Sequence, residues 1–209
     1  MKLKISPVAP LFVAGCLATL CLACAKKADN SPAMPRPEAY PRIELPAVAY
    51  DTLNIHGLHL AVNSLAESEL QPRPDGNQWL TVDYAPAGIN ARLLLTLVPV
   101  NPSTVQDVVD NRAERISLNL GSAVPSVTDI NPEAAPAADA PASAANLFFG
   151  QLIEAPSTST PLQLLLTNAQ SHVITAAVYF PELSSANCDS LAPQLEYLRT
   201  DILHLANSL

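Results

Sequence analysis

The sequence predicts an α+β domain: an antiparallel sheet with two helices packed on one face, in the order βββαβββα, preceded by an extended Pro-rich arm. Three observations lead there. Six short runs between residues 53 and 180 are dense in Leu, Val, Ile and aromatic side chains. Two segments, beginning near Ser103 and Asp189, repeat apolar residues at helical spacing, and the first fifty residues carry neither period.

The strands come first. LNIHGLHLAV (53–62) and QWLTVDYA (78–85) read as strands. In NARLLLTLVPV (90–100), Ala91, Leu93, Leu95 and Leu97 alternate with Arg92 and Thr96, the period-2 pattern of a half-buried strand. LFFGQLIE (147–154), PLQLLLTN (161–168) and HVITAAVYF (172–180) supply three more, the last two joined by the short turn Ala169-Gln170-Ser171. Ser103 to Gln106 forms a capping-box pattern ahead of Val105, Val108, Val109, Ile116 and Leu120, with Gly121 as the stop. In the closing helix Asp189 or Ser190 is the expected cap and Pro193 sits in the first turn. Leu191, Leu195, Leu198, Ile202, Leu205 and Leu209 make its apolar face.

The N-terminus is organised for export. Lys2 and Lys4 precede an apolar stretch that stays uncharged until Lys26, the layout of a signal peptide. Its apolar part holds three cysteines, Cys16, Cys21 and Cys24. Bacterial lipoprotein signals end in small residues before an acylated cysteine. Val13-Ala14-Gly15 before Cys16 fits that motif more closely, but cleavage there leaves apolar LATLCLA at the mature end, whereas Cys24 stands at the switch to polar sequence. The reading is a lipoprotein signal over 1–23 and lipidation of Cys24, with Cys16 as the alternative. Residues 24–50 then form a Pro-rich tether, since Pro32, Pro35, Pro37, Pro41 and Pro46 fix φ and oppose helix. A single domain fills 51–209, interrupted by an Ala/Pro-rich insertion at 131–146.

Charge narrows the function. The chain of 209 residues has a net charge of −8, and loss of Lys2 and Lys4 with the signal brings it to −10. An acidic surface repels phosphate backbones, so nucleic acid is not an expected partner. Cys188 is the one cysteine beyond the signal region and cannot close an internal disulfide or a structural zinc site. His56 and His59, three apart on one strand, point to opposite faces and do not chelate one metal unless Gly57 bulges the backbone. Asp201 and His204 share a helix face, with Asp189 and Ser190 nearby, but no nucleophile elbow accompanies them. The six glycines form no phosphate loop or dinucleotide fingerprint. No catalytic residue, metal or cofactor is expected. Trp79, Tyr84, Phe148, Phe149, Tyr179 and Phe180 are expected in the core or on a sheet face, and a cluster of them left exposed would mark a protein interface.

PRPEAYPRIELP (35–46) resembles the Pro-Lys/Arg-Pro-x-x-Tyr-x-Arg-Ile-Asp/Glu-Leu-Pro opening of the GldD gliding motility lipoproteins of Bacteroidetes. QWLTVDYAPAGINARLLLTLVPV is similar to that family's Trp strand, Tyr-Pro turn and following strand, and AAVYFPELSSANCDSLAPQLEYLRTDILHL (176–205) resembles its C-terminal pattern. The chain departs from the family at the hairpin Leu166–His172, at Thr175-Ala176 where Arg-Gly is usual, and in the insertion. The resemblance implies a membrane-anchored, non-catalytic lipoprotein belonging to, or accessory to, the machinery of gliding motility and type IX protein secretion. It also implies lipidation a short polar spacer before the Pro-Arg-Pro block, which favours Cys24. Expected partners are the membrane, through the lipid, and other envelope proteins, with no small-molecule substrate. Pro35, Arg36, Pro37, Tyr40 and Arg42 of the rigid arm are the candidate partner-binding residues. The basic start AKKAD after Cys24 points to the periplasmic side. The competing reading is a periplasmic small-ligand-binding or enzymatic domain, which requires a deep pocket with convergent polar groups.

Overall fold

The computed structural model describes residues 44–131 and 147–209. Cys16, Cys24, the arm residues Pro35, Arg36, Pro37, Tyr40 and Arg42, and all but the first residue of the 131–146 insertion lie outside them. The described chain is α+β, with an antiparallel two-stranded sheet, an antiparallel seven-stranded sheet and two long helices.

Strands β1 (Tyr50–Ile55) and β2 (Leu58–Asn63) form a hairpin of their own. LNIHGLHLAV was expected as one strand. His56 and Gly57 both have positive φ, 53° and 84°, and close it as a two-residue turn whose twist suits paired strands. The Asn54 side chain accepts the Gly57 amide at 3.2 Å.

The large sheet contains β3 (Glu67–Pro72), β4 (Gln78–Asp83), β5 (Arg92–Pro99), β6 (Ser126–Ile130), β7 (Phe149–Glu154), β8 (Leu162–Thr167) and β9 (His172–Tyr179). Its spatial order is β3-β4-β5-β9-β8-β7-β6. Strands β3 and β6 were not expected from the sequence. Both are edges, and β3 is exposed along its whole length, so neither carries the alternation that betrays a half-buried strand. Glu67, Glu69 and Pro72 on β3 blunt an edge that would otherwise pair with another chain.

Between β5 and β6 runs helix α1 (Val105–Leu120), and after β9 comes helix α2 (Ala192–Asn207). The capping box expected at Ser103 does not form. Asn101 takes its place: its side-chain oxygen accepts the Ser103 and Thr104 amides, both at 3.1 Å, while Gln106 turns to Asp110 at 2.8 Å. Gly121 ends α1 as anticipated, at φ 58°. Helix α2 has Leu191 at its N-cap position, with Pro193 in its first turn and no side-chain cap, because Ser190 hydrogen-bonds back to the Asn187 carbonyl.

Residues paired across an antiparallel ladder share a face, and the register therefore sorts the sheet. One face carries Leu80 and Val82, Leu93 to Leu97 at odd positions, Ile174, Ala176 and Val178, Leu162 to Leu166 at even positions, and Leu152. All of these are buried in one core with Leu198, Ile202 and Leu205 of α2 and with Ile55, Leu60 and Val62 of the β1–β2 hairpin. The other face carries Trp79, Leu94, Thr96, Thr175, Ala177, Gln163 and Leu165. Helix α1 crosses that second face over β8 and β9. The two helices therefore lie on opposite faces, not on one. The reason is in the central strands: β8 and β9 are buried or half-buried on both sides along nearly their whole length, and each side needs a cover.

Gly150 on β7 has its Cα against the neighbouring strand, where an added Cβ would run into the Leu165 carbonyl. The Gly57 turn has open space for one. In urea unfolding of the full-length protein, Gly150→Ala is predicted to cost about 2 to 3 kcal/mol by forced repacking, and Gly57→Ala about 1 kcal/mol through its positive φ alone. Equal losses at the two positions would contradict the tight β7–β8 approach.

Candidate functional site

The sequence put Asp201 on a helix surface with His204. The structure buries it. Asp201 is 4% exposed, surrounded by leucines of α2, and faces the hairpin. Its two oxygens accept from the Tyr50 hydroxyl at 2.9 Å and the Asn63 amide at 2.7 Å. Asn63, itself 2% exposed, also donates to the Tyr197 hydroxyl at 2.8 Å. The buried Tyr84 phenol is a third group acting on the carboxyl. The Tyr50 ring stacks on the exposed His204 imidazole with centroids 3.8 Å apart, and Ser208 accepts the Ala61 amide at 2.8 Å. The hairpin and α2 are thus joined by a polar network inside an apolar layer.

Electrostatics follow from that burial. Desolvation raises the pKa of Asp201 from the ordinary carboxylate range, against hydrogen bonds from Asn63, Tyr50 and Tyr84 and the His204 charge, which lower it. Tyr50 and Tyr84 are pushed well above the usual phenol value, first by burial and then by Asp201. The groups that meet at Asp201 are phenols and an amide, which suits holding two elements together rather than moving a substrate.

The other sequence candidates separate. His56 lies in the hairpin turn, 3.0 Å from the Gln78 amide, and His59 is exposed on β2, so the two do not converge. His172 begins β9 beside Ser171, 2.8 Å from its Nδ1, and burial followed by the charge of His56 lowers its pKa. The Asn168 side-chain oxygen accepts the Gln170, Ser171 and His172 amides, which fixes this turn. Cys188 is half-buried against the core. Among the described residues no group of three or more His, Cys, Asp or Glu is placed to hold a metal, and no helix is long and apolar enough to cross a membrane. Of the aromatic residues, Tyr84, Phe148 and Phe180 are fully buried, whereas Trp79 and Tyr179 are each 44% exposed. Those two share the second sheet face with Leu94, which is 48% exposed and also lines the edge of a cavity beside α1. Arg73 lies over the Trp79 ring at 4.2 Å.

Two further features escaped the sequence. Arg112, Arg115, Ile116 and Asn119 of α1 face a cavity of about 170 Å³ whose floor includes Thr96, Thr175 and the buried Gln163. A larger, mostly apolar groove of about 380 Å³ runs between Val109, Phe149 and Leu165. The i, i+3, i+4, i+7 spacing of the α1 residues is the available signal, but paired arginines on a helix are ordinarily the mark of a solvated face.

Asp201 sets a pH dependence whose sign can be stated. A carboxyl whose folded pKa is raised contributes stability that is fully present below its unfolded pKa and lost as pH rises through the folded value. Asp201→Asn cannot ionise. Its urea midpoint is expected to gain on the wild type from about pH 4 upward, and parallel profiles would contradict the assignment. Asp201→Ala leaves the Tyr50 hydroxyl and one N–H of the Asn63 amide without an acceptor and is expected to cost about 2 to 3 kcal/mol.

Comparison with known proteins identifies a family. No curated protein matches the chain, and no solved structure does. The family model described as gliding motility lipoprotein GldD matches residues 30–209, a span that takes in the PRPEAYPRIELP block, the whole sheet and both helices. The chain belongs to the GldD gliding motility lipoprotein family.

Proposed function

We propose that this lipoprotein is a non-catalytic component of, or accessory to, the machinery of gliding motility and type IX protein secretion. It is anchored through acylated Cys24 at the end of a 1–23 signal and faces the periplasm. The tether over 24–50 carries the 51–209 domain away from the membrane, and Pro35, Arg36, Pro37, Tyr40 and Arg42 contact another envelope protein.

The observation that carries this reading is the family match, which begins at residue 30 and so includes the Pro-rich arm. An arm that served only as a spacer would need length and flexibility rather than a set order of Pro, Arg and Tyr. The polar network supports the non-catalytic role, because its carboxyl is occupied by Tyr50 and Asn63 and buried at 4% exposure. Trp79, Leu94 and Tyr179 add partly exposed apolar groups on one sheet face, of the composition that protein interfaces favour.

Deletion of the gene is expected to abolish spreading and to reduce protein export, and a strain that spreads and secretes normally would contradict the role. Mass spectrometry of the mature protein is expected to find a lipidated N-terminal Cys24. Cys24→Ala should move the protein from the membrane pellet to the soluble fraction while Cys16→Ala does not. The reverse pattern would place the anchor at Cys16.

A further inference from the structure

Helix α1 presents an unusual stripe to the sheet. Its C-terminal half turns Arg112, Arg115, Ile116 and Asn119 towards the second face, where a crossover helix ordinarily places apolar residues. Beneath them the sheet offers small and polar groups. Thr96 of β5 pairs directly with Thr175 of β9, and Ala177 of β9 pairs with Gln163 of β8. Small floor residues under long roof residues leave the 170 Å³ cavity.

The polar groups around this cavity are not satisfied by one another. Gln163 is 1% exposed, and among the described residues its amide nitrogen has no hydrogen-bond partner. Among the described residues its oxygen accepts from the Asn119 side-chain amide, at 3.5 Å. Among the described residues neither Arg112 nor Arg115 forms an ion pair, although Arg92 and Arg199 find Asp83 and Glu154 at 2.9 and 2.8 Å. Arg115 turns to the neutral Asn111 oxygen. Arg112 is half-buried, and its pKa is lowered first by that burial and then by the Arg115 charge, with Asp75 acting in the opposite sense. Two neighbouring cations and a buried donor, in a chain with a net charge of −8, form a concave site with surplus donors and positive charge.

We infer that the cavity between α1 and the β5–β9–β8 face is a binding site for a small oxyanion, a carboxylate or a phosphate. The guanidinium groups of Arg112 and Arg115 hold its charge, and Thr96, Thr175 and the Gln163 amide lie on the floor beneath it. Guanidinium groups suit both anions because their planar donor forks match paired oxygens. The site does not depend on the motility reading or on the partner surface. Binding there would draw α1 against the sheet and fill the donors that the fold leaves open.

The test is calorimetric titration of the full-length lipidated protein in detergent with sodium phosphate, with sodium succinate, and with sodium chloride at matched ionic strength. Saturable one-to-one binding of phosphate or of succinate, with none of chloride, is the expected result, and the ligand that binds identifies the oxyanion. Arg112→Gln and Arg115→Gln should each weaken it about tenfold or more. Arg115 is exposed, so its variant keeps the test valid if Arg112→Gln or Gln163→Leu fails to fold. Heats no different from those of chloride, or saturable binding that both arginine variants leave intact, would overturn the site.

Discussion

The rest of the structure depends on the burial of strands β8 and β9 on both faces. Leu162, Leu164 and Leu166 pair with Val178, Ala176 and Ile174 on one side, each at most 4% exposed. Gln163 and Val173 are buried on the other side, where α1 lies. A sheet centre of this kind is stable only as the middle layer of three. On the first side α2 and the β1–β2 hairpin share the cover, and the second side is left to the crossover that links β5 to β6 across three intervening strands. Alternating antiparallel pairings make β5 and β6 run in the same direction, which is why their connection must pass over the sheet rather than turn back at its edge.

That arrangement explains where polar chemistry collects. The first layer is closed by a hairpin that pairs with no strand of the large sheet, so its position is set by side chains: the Tyr50–Asp201–Asn63–Tyr197 network does this work inside a layer of leucines. A buried carboxyl among phenols and an amide gives direction to packing that apolar contact alone leaves loose. The second layer is thinner. A single helix, packed over β8 and β9, serves a seven-stranded sheet: Trp79, Leu94 and Tyr179 on the same face stay partly in solvent, and the cationic cavity and the Val109–Phe149–Leu165 groove open along the sides of α1.

Much of this was legible in the sequence where burial is one-sided or periodic. Strands β4, β5, β7, β8 and β9 and both helices follow from alternation and from the leucine repeat of α2, and the family follows from the order of the Pro-rich and C-terminal blocks. Edge strands β3 and β6 were invisible because exposed β-structure leaves no hydrophobic period. The hairpin hid in LNIHGLHLAV because His56 carries positive φ without being glycine, so only half of its turn signal showed. Helix placement was beyond reach for a different reason: α1 buries only Ile116, and its sheet-facing stripe is polar, so nothing in its sequence says which face it covers. Asp201 looked like a surface residue because its partners, Tyr50 and Asn63, stand 151 and 138 positions away.

If the two-sided burial of β8 and β9 is what the fold depends on, those strands must open last. Native-state hydrogen exchange of the full-length protein measures this directly. The account predicts that the backbone amides of Leu164, Leu166, Ile174 and Ala176 exchange only through global unfolding, with the hairpin β1–β2 and the edges β3 and β6 opening at lower cost. Amides of β8 and β9 that exchange as fast as those of the hairpin would contradict it.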